Sequence, residues 1–165
     1  ALNEKTKKRL GVPWPARRYF RELQMRMGDG FRLYLAELDG LPIAGAIVLR
    51  HKGTVHYAYA ASDEDYLSLK ANDLVLWRAI EDGCKESFRV VDLGRTAAGN
   101  EGLARFKRHW GTEEVKLGYY FYPTVSHSMA LSRHDVKYRT ATAIWRRIPM
   151  SVAQVLSSKA LRHLD

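Results

Sequence analysis

Between residues 31 and 61 the side chains alternate with a period of two, broken twice by tight-turn signals, and this restricts the fold more than any other stretch. Phe31-Arg-Leu-Tyr-Leu-Ala-Glu-Leu38 runs into Asp39-Gly40, residues 43–50 follow, His51-Lys-Gly-Thr54 turns the chain again, and residues 55–61 complete the pattern. The reading is a three-stranded antiparallel meander. Such a sheet has to cover at least one face, and the flanking sequence supplies helices. Residues 4–10 alternate in charge and predict a short solvated helix ending at Gly11. Pro15 then suits the first turn of an amphipathic helix running to about Met27, with Tyr19, Phe20, Leu23 and Met27 on one face and Gly28 as its stop.

Downstream, residues 62–71 are polar and acidic, and Asn72 is the expected N-cap of a helix ending near Ser87, with Leu76, Ile80 and Cys84 on its apolar stripe. Residues 88–93 predict a short strand, 94–100 a loop of small and polar residues, 101–110 a helix stopped by Gly111, and 115–122 an aromatic strand. Helical spacing returns over residues 149–164, giving one or two C-terminal helices. The fold class is therefore mixed α/β (α+β): a mainly antiparallel sheet flanked by helices, with a C-terminal helical tail. Residues 1–125 are expected to form the main domain and 126–165 its helical extension.

A chain of 165 residues, 46% of them hydrophobic, holds a sizeable core without disulfide or metal staples. Its single cysteine cannot form an internal disulfide, and no apolar run approaches the roughly 18 residues that a membrane span needs. A cytoplasmic, reducing location is the expectation. The 27 basic and 18 acidic residues leave a net charge of +9, a field that favours polyanions. The start at Ala1, already close to a helix, suggests a piece of a longer polypeptide.

Two stretches carry candidate chemistry. Asp92-Leu-Gly-Arg-Thr96 emerges from the short strand, and strand ends in α/β sheets face open crevices. Gly94 lets a ligand approach the backbone, and the Arg95 guanidinium offers paired donors to a phosphate or carboxylate. In the alternative reading, Asp92 caps a turn and Arg95 pairs with it or another surface acid. On the helix over 101–110, Leu103, Phe106 and Trp110 fall within roughly 60° of one another and define the expected buried stripe. Arg105, Arg108 and His109 then face water. Lys107 lies about 70° from the centre of that stripe, close enough to lay its methylenes on the core and present its ammonium in a cleft. A snorkelling lysine without a duty is the competing reading.

Strict alternation places Val55, Tyr57, Tyr59 and Ala61 on one sheet face, where the tyrosines would line a pocket or simply suit a half-buried strand. The six histidines lack metal-site spacing, so no metal is expected. Ser126, Ser128 and Ser132 show no nucleophile-elbow pattern, and Cys84 reads as an inert core thiol.

In this order the segments resemble the GNAT acyltransferases, and among them the Fem-like branch of peptidoglycan-bridge aminoacyltransferases. The resemblance rests on residues 36–45, on Tyr57-Ala-Tyr-Ala-Ala-Ser-Asp63, on the helix from Asn72 through Trp77, and above all on Asp92-Leu-Gly-Arg-Thr96 and Glu101-Gly-Leu-Ala-Arg-Phe-Lys-Arg-His-Trp-Gly111. It implies transfer of an acyl or aminoacyl group to an amine-bearing acceptor: a peptidoglycan precursor, a saccharide or a small molecule. It also implies that the chain is the second of two GNAT units, lacking its N-terminal partner. The lysine of the family's F-K-x-x-W/F-G pattern falls on Lys107, in a role of stabilising developing negative charge, with Asp92, Gly94, Arg95, Thr96, Tyr57, Tyr59 and Asn72 as the expected substrate-binding residues.

CoA-using members carry a Q/R-x-x-G-x-G/A loop before the helix that here starts near Asn72, whereas residues 61–71 hold no glycine and three acids. Like charges repel a pyrophosphate. The expected donor is therefore an aminoacyl-tRNA or a less usual acyl thioester, with acyl-CoA as the alternative; the basic charge agrees with tRNA. A catalytically silent basic module that binds tRNA or another polyanion is the reading from a different class.

Overall fold

The structure is a computed structural model that describes residues 2–97, 99–118 and 136–161. Its elements are α1 (Leu2–Leu10), α2 (Arg17–Met27), β1 (Phe31–Leu38), β2 (Leu41–His51), β3 (Thr54–Ser62), α3 (Ala71–Lys85), β4 (Val90–Asp92), α4 (Glu101–His109), α5 (Val136–Arg147) and α6 (Met150–Ala160), with a 3-10 turn over Glu64–Leu69. The sheet order is β1-β2-β3-β4, antiparallel through β3, with β4 added parallel to β3. The predicted meander is present. Each hairpin turns on two residues with positive φ, Asp39 and Gly40 (51° and 79°) and Lys52 and Gly53 (44° and 80°). That geometry matches the right-handed twist of the strands.

Helix α3 lies across β1, β2 and β3 and forms the core with them. Ala71, Val75 and Ala79 meet Ala36, Ile43, Ala44, Ala46, Val48 and Val55, and Leu76 is wholly buried. Small side chains set the approach: a Cβ on Gly83 would stand 3.0 Å from Val55 Cγ2. This rotates the helix away from the expected stripe. Cys84 is exposed rather than in the core, and Ile80 is only half-buried, because the sheet presents alanines and valines that Ala79 and Gly83 fit more closely. The helix also starts before Asn72. Lys70, in the left-handed conformation (φ 51°), ends the 3-10 turn and stands at the N-cap, so Asn72 is the second helical residue.

Helix α1 is not the solvated helix expected from its charges. Thr6 is buried against the end of β3, and the helix packs on its other side against the C-terminal pair α5 and α6. Lys8 Nζ donates to the carbonyls of Trp145 (2.8 Å) and Arg146 (2.7 Å), closing the C-terminal end of α5. Trp14 packs edge-to-face on Trp145 with ring centroids 6.4 Å apart, and its amide donates to Ser157 Oγ of α6. Helix α6 falls on the helical spacing expected over residues 149–164, whereas α5 precedes that range. Residues 112–118 form neither helix nor strand, so the strand expected from residue 115 is not formed there; its remainder to 122, the 125/126 boundary and Ser126, Ser128 and Ser132 lie outside the described residues.

Candidate functional site

Strand β3 is nine residues long, yet β4 pairs with it only at Thr54–Val90, Val55–Val91 and His56–Asp92. β4 ends there, so past His56 the outer edge of β3 has no strand beside it among the described residues, which leaves a fork. Asp92 makes the fork by ending β4. Its Oδ1 accepts the Gly94 amide (2.7 Å), forming a local turn that Gly94 completes at φ 69°, and its Oδ2 lies 3.0 Å from His56 Nδ1. The imidazole edge faces the turn, and a Cβ added on Gly94 would stand 3.4 Å from His56 Cε1.

Helix α4 supplies the cation. Asn100 caps it by accepting the Leu103 amide, and Lys107 projects back so that Nζ donates to the Gly94 carbonyl at 2.5 Å. Burial pushes the Lys107 ammonium below its ordinary pKa, and the Asp92 charge works in the opposite direction. The covered side of α4 differs from the expected stripe. Ala104, Phe106, Lys107 and Trp110 are half-buried while Leu103 is 38% exposed, so the helix turns its lysine face toward the loop. Arg95 is exposed and Thr96 half-buried on the loop that leaves the fork.

The two tyrosines do not share a face. Tyr57 pairs with Val48 and Tyr59 with Ile47, which are adjacent in β2, so Ala58 is an extra residue in β3. A bulge of one residue reverses the alternation. Tyr57 consequently packs into the core beneath α3, where burial and, less strongly, the Asp73 charge push its phenol up to about 12. Tyr59 lies on the opposite face against Tyr19 and Phe20, bonded to the Tyr19 hydroxyl at 2.8 Å, and burial and that bond raise its pKa.

At the far end of β3 a cleft of about 180 Å³ opens between the 3-10 turn, the first turn of α3 and α4, lined among others by Tyr66, Lys70, Asn72, Asp73 and Phe106. Asn72 thus lines this cleft, its buried Oδ1 lacking a hydrogen-bond partner among the described residues, on the same cleft wall that takes Phe106, the neighbour of Lys107 on α4. The edge of β3 between fork and cleft is partly taken. Asp63 N donates to Ile43 O of β2, so Ser62, one residue earlier, turns its amide and carbonyl to the outer edge, where Thr6 Oγ1 bonds both (3.1 and 2.9 Å). The acidic connection is partly neutralised from the same helix: Lys5 Nζ lies 2.9 Å from Asp63 Oδ2, and Arg9 Nε 3.5 Å from Glu64 Oε2.

Of the sequence candidates, the fold brings Asp92, Gly94 and Lys107 into direct contact, and it leaves Tyr57, Tyr59 and Asn72 in three other environments. It adds His56, whose spacing from the other histidines suggests no role. The missing signal was pairing, because only the parallel register sets residue 56 beside residue 92. Among the described residues no group of three His, Cys, Asp or Glu is placed to hold a metal ion, and no helix is long and apolar enough to cross a membrane.

A mixed sheet that ends in a parallel pair, with a helix packed across it, is also the fold of known transferases. AAC(6')-Iy, an aminoglycoside N-acetyltransferase solved with the bisubstrate analogue CoA-S-monomethyl-acetylneamine, superposes with TM-score 0.57 at 14% identity, covering 74% of this chain and 89% of that one. The ribosomal-protein-S18-alanine N-acetyltransferase of Escherichia coli gives 0.54 at 16% identity over 73% and 78% of the two chains. Glucosamine-6-phosphate N-acetyltransferase of Arabidopsis thaliana gives 0.51 at 16% over 74% and 92%. No curated protein sequence matches the chain. The family model described as Acetyltransferase (GNAT) domain matches residues 2–108, from α1 through nearly all of α4, and the chain belongs to that family.

Proposed function

We propose that this domain transfers an acyl group from an acyl thioester to an amine, with the reacting carbonyl held at the β3–β4 fork beside Lys107. The observation that carries the reading is the Lys107 ammonium fixed on the Gly94 carbonyl just past the end of β4. When an amine attacks a thioester, the carbonyl oxygen gains negative charge that the ground state lacks. A cation already positioned there, and partly shielded from water, therefore stabilises the transition state more than the substrate. Arg95 and Thr96 would border the acceptor, and Gly94 leaves the backbone accessible. Lys107 stands within Phe-Lys-Arg-His-Trp-Gly, and the finer assignment to the Fem-like branch rests above all on this stretch and on Asp92-Leu-Gly-Arg-Thr96.

The donor favoured here is an acyl-CoA. The matched AAC(6')-Iy complexes hold CoA or a CoA conjugate, and the related structures give no support to an aminoacyl-tRNA. The repulsion expected from the acidic connection is lessened by Lys5 and Arg9, although residues 61–71 still lack a glycine-rich phosphate loop. The far end of the donor would reach the cleft beside Lys70 and the first turn of α3. An amine-bearing saccharide, a cell-wall precursor or a small amine would be the acceptor; the related enzymes are named for aminoglycosides, an alanine of protein S18 and glucosamine 6-phosphate.

The test is thiol release from acetyl-CoA and longer acyl-CoAs in the presence of a panel of amines. Turnover is expected, and Lys107→Ala should lower kcat at least tenfold, about 1.4 kcal/mol of barrier, with little change in Tm. Equal activity in the variant would remove Lys107 from the mechanism. Salt-dependent tRNA binding with no turnover would instead favour the silent polyanion-binding module, for which the net charge of +9 speaks.

A further inference from the structure

We infer that His56 is the catalytic base of the transfer and that Asp92 is its positioning residue. The inference rests on the acyl-transfer reading of the fork and adds to it the group that removes the proton from the attacking amine. Lys107 cannot fill that role while it serves as a cation. His56 is the last residue of β3 paired with β4, so its side chain stands at the junction from which the fork opens. Asp92 Oδ2 lies 3.0 Å from Nδ1, an arrangement in which Nδ1 carries a proton, donates it to the carboxylate and leaves Nε2 as an acceptor. No bond to Nε2 is formed among the described residues. The histidine is 40% exposed and the aspartate 52%, so an acceptor can reach the ring.

The surroundings keep the pair oriented. Asp92 is itself pinned through Oδ1 by the Gly94 amide, and its Oδ2 holds Nδ1, which orients the imidazole. Among the described residues the Asp92 carboxylate from β4 is bonded to it, the Lys107 ammonium of α4 rests on the Gly94 carbonyl of the adjoining turn, the charged Arg95 follows Gly94 in that loop, and its β2 partner, Leu49, is apolar. One constellation thus holds an acceptor for the amine's proton and a cation for the carbonyl's oxygen, joined through Asp92-Leu-Gly94.

The step balances as follows. The amine nitrogen forms a bond to the thioester carbonyl carbon, and the oxygen, now negative, faces Lys107. The nitrogen's surplus proton passes to His56 Nε2. The C–S bond breaks as the carbonyl re-forms, the thiolate takes a proton from solvent, and the imidazolium returns its proton to solvent. Asp92 stays ionised throughout and stabilises the imidazolium, as a carboxylate does beside a catalytic histidine.

Two measurements on the full chain test this. Turnover with acetyl-CoA and a weakly basic arylamine, which stays unprotonated in mildly acidic solution, isolates the enzyme's own acid limb. Wild type should lose kcat/KM about tenfold per pH unit once the base is protonated. His56→Gln should lower kcat at the plateau about a hundredfold or more and abolish that limb. Asp92→Asn, which retains the turn acceptor for Gly94, should lower kcat more than it raises KM. Without any donor, ¹⁵N chemical shifts of His56 should report the Nδ1–H tautomer in wild type and loss of that preference in Asp92→Asn. Retained rate and acid limb in His56→Gln, or an Nε2–H tautomer in wild type, overturns the assignment while the transferase reading stands. Absence of wild-type turnover with every acyl-CoA and amine overturns both.

Discussion

Replacing Thr6 with valine should destabilise the protein well beyond what an exposed helix position allows. Thr6 Oγ1 donates to the Ser62 carbonyl at 2.9 Å and accepts the Ser62 amide at 3.1 Å, and both residues are about 7% exposed. Valine keeps the shape and the β-branch, so the perturbation is the hydroxyl alone. It removes two hydrogen bonds, each worth about 0.5–1.5 kcal/mol, and leaves two buried backbone groups whose desolvation costs about 1–3 kcal/mol if water cannot enter. Partial hydration of the β3 edge reduces that sum, and the expected loss is about 2–4 kcal/mol. At about 2–4 °C per kcal/mol for a chain of this size, Tm should fall by about 4–16 °C. Urea unfolding followed by circular dichroism measures the free energy, and Thr6→Ser, which keeps the hydroxyl, should recover most of it. If Thr6→Val stayed within about 0.5 kcal/mol of wild type, α1 would not be fastened to the β3 edge as described.

Leu76→Ala should cost about 2–5 kcal/mol in urea unfolding, because the side chain is wholly buried under α3 and its loss leaves a cavity. The Lys5–Asp63 pair should make stability depend on pH in a defined direction. The hydrogen bond from Lys5 lowers the Asp63 carboxyl below its ordinary 3.8, so the folded state binds its proton less readily than the unfolded chain. The contribution is present above the ordinary carboxylate range and is lost as pH falls through the lowered folded-state value. The difference in Tm between wild type and Asp63→Asn should therefore be visible at pH 6 and shrink steadily on acidification below about pH 4; a constant difference would contradict the pairing. Cys84, exposed on α3, should react with a bulky disulfide reagent in the folded protein at a rate near that of denatured chain, whereas a core thiol would react only on unfolding.

Local pattern carried much of the fold. The two hairpins were legible because positive-φ dipeptides at 39–40 and 52–53 interrupt a period of two, and both features act within a few residues of one another. The α3 and α4 segments were legible for the same reason. What failed were inferences that needed a rotation or a partner. The helix stripe through Cys84 was displaced because only the sheet's small residues decide which side of α3 comes closest. The tyrosine face was reversed because one extra residue, Ala58, enters β3 without a local signature. Thr6 looked solvated because its partner stands 56 positions away.

By itself the sequence determined the elements from α1 through α4 and their order, since propensity, turn chemistry and periodicity are properties of neighbouring residues. Only the tertiary structure decided what those residues meet: that β4 joins β3 for three pairs and then ends, that His56 stands beside Asp92, and that the Lys107 ammonium rests on the Gly94 carbonyl. Each of these depends on strand register and helix placement, which are set by packing between distant segments and are invisible to any reading that moves along the chain one window at a time.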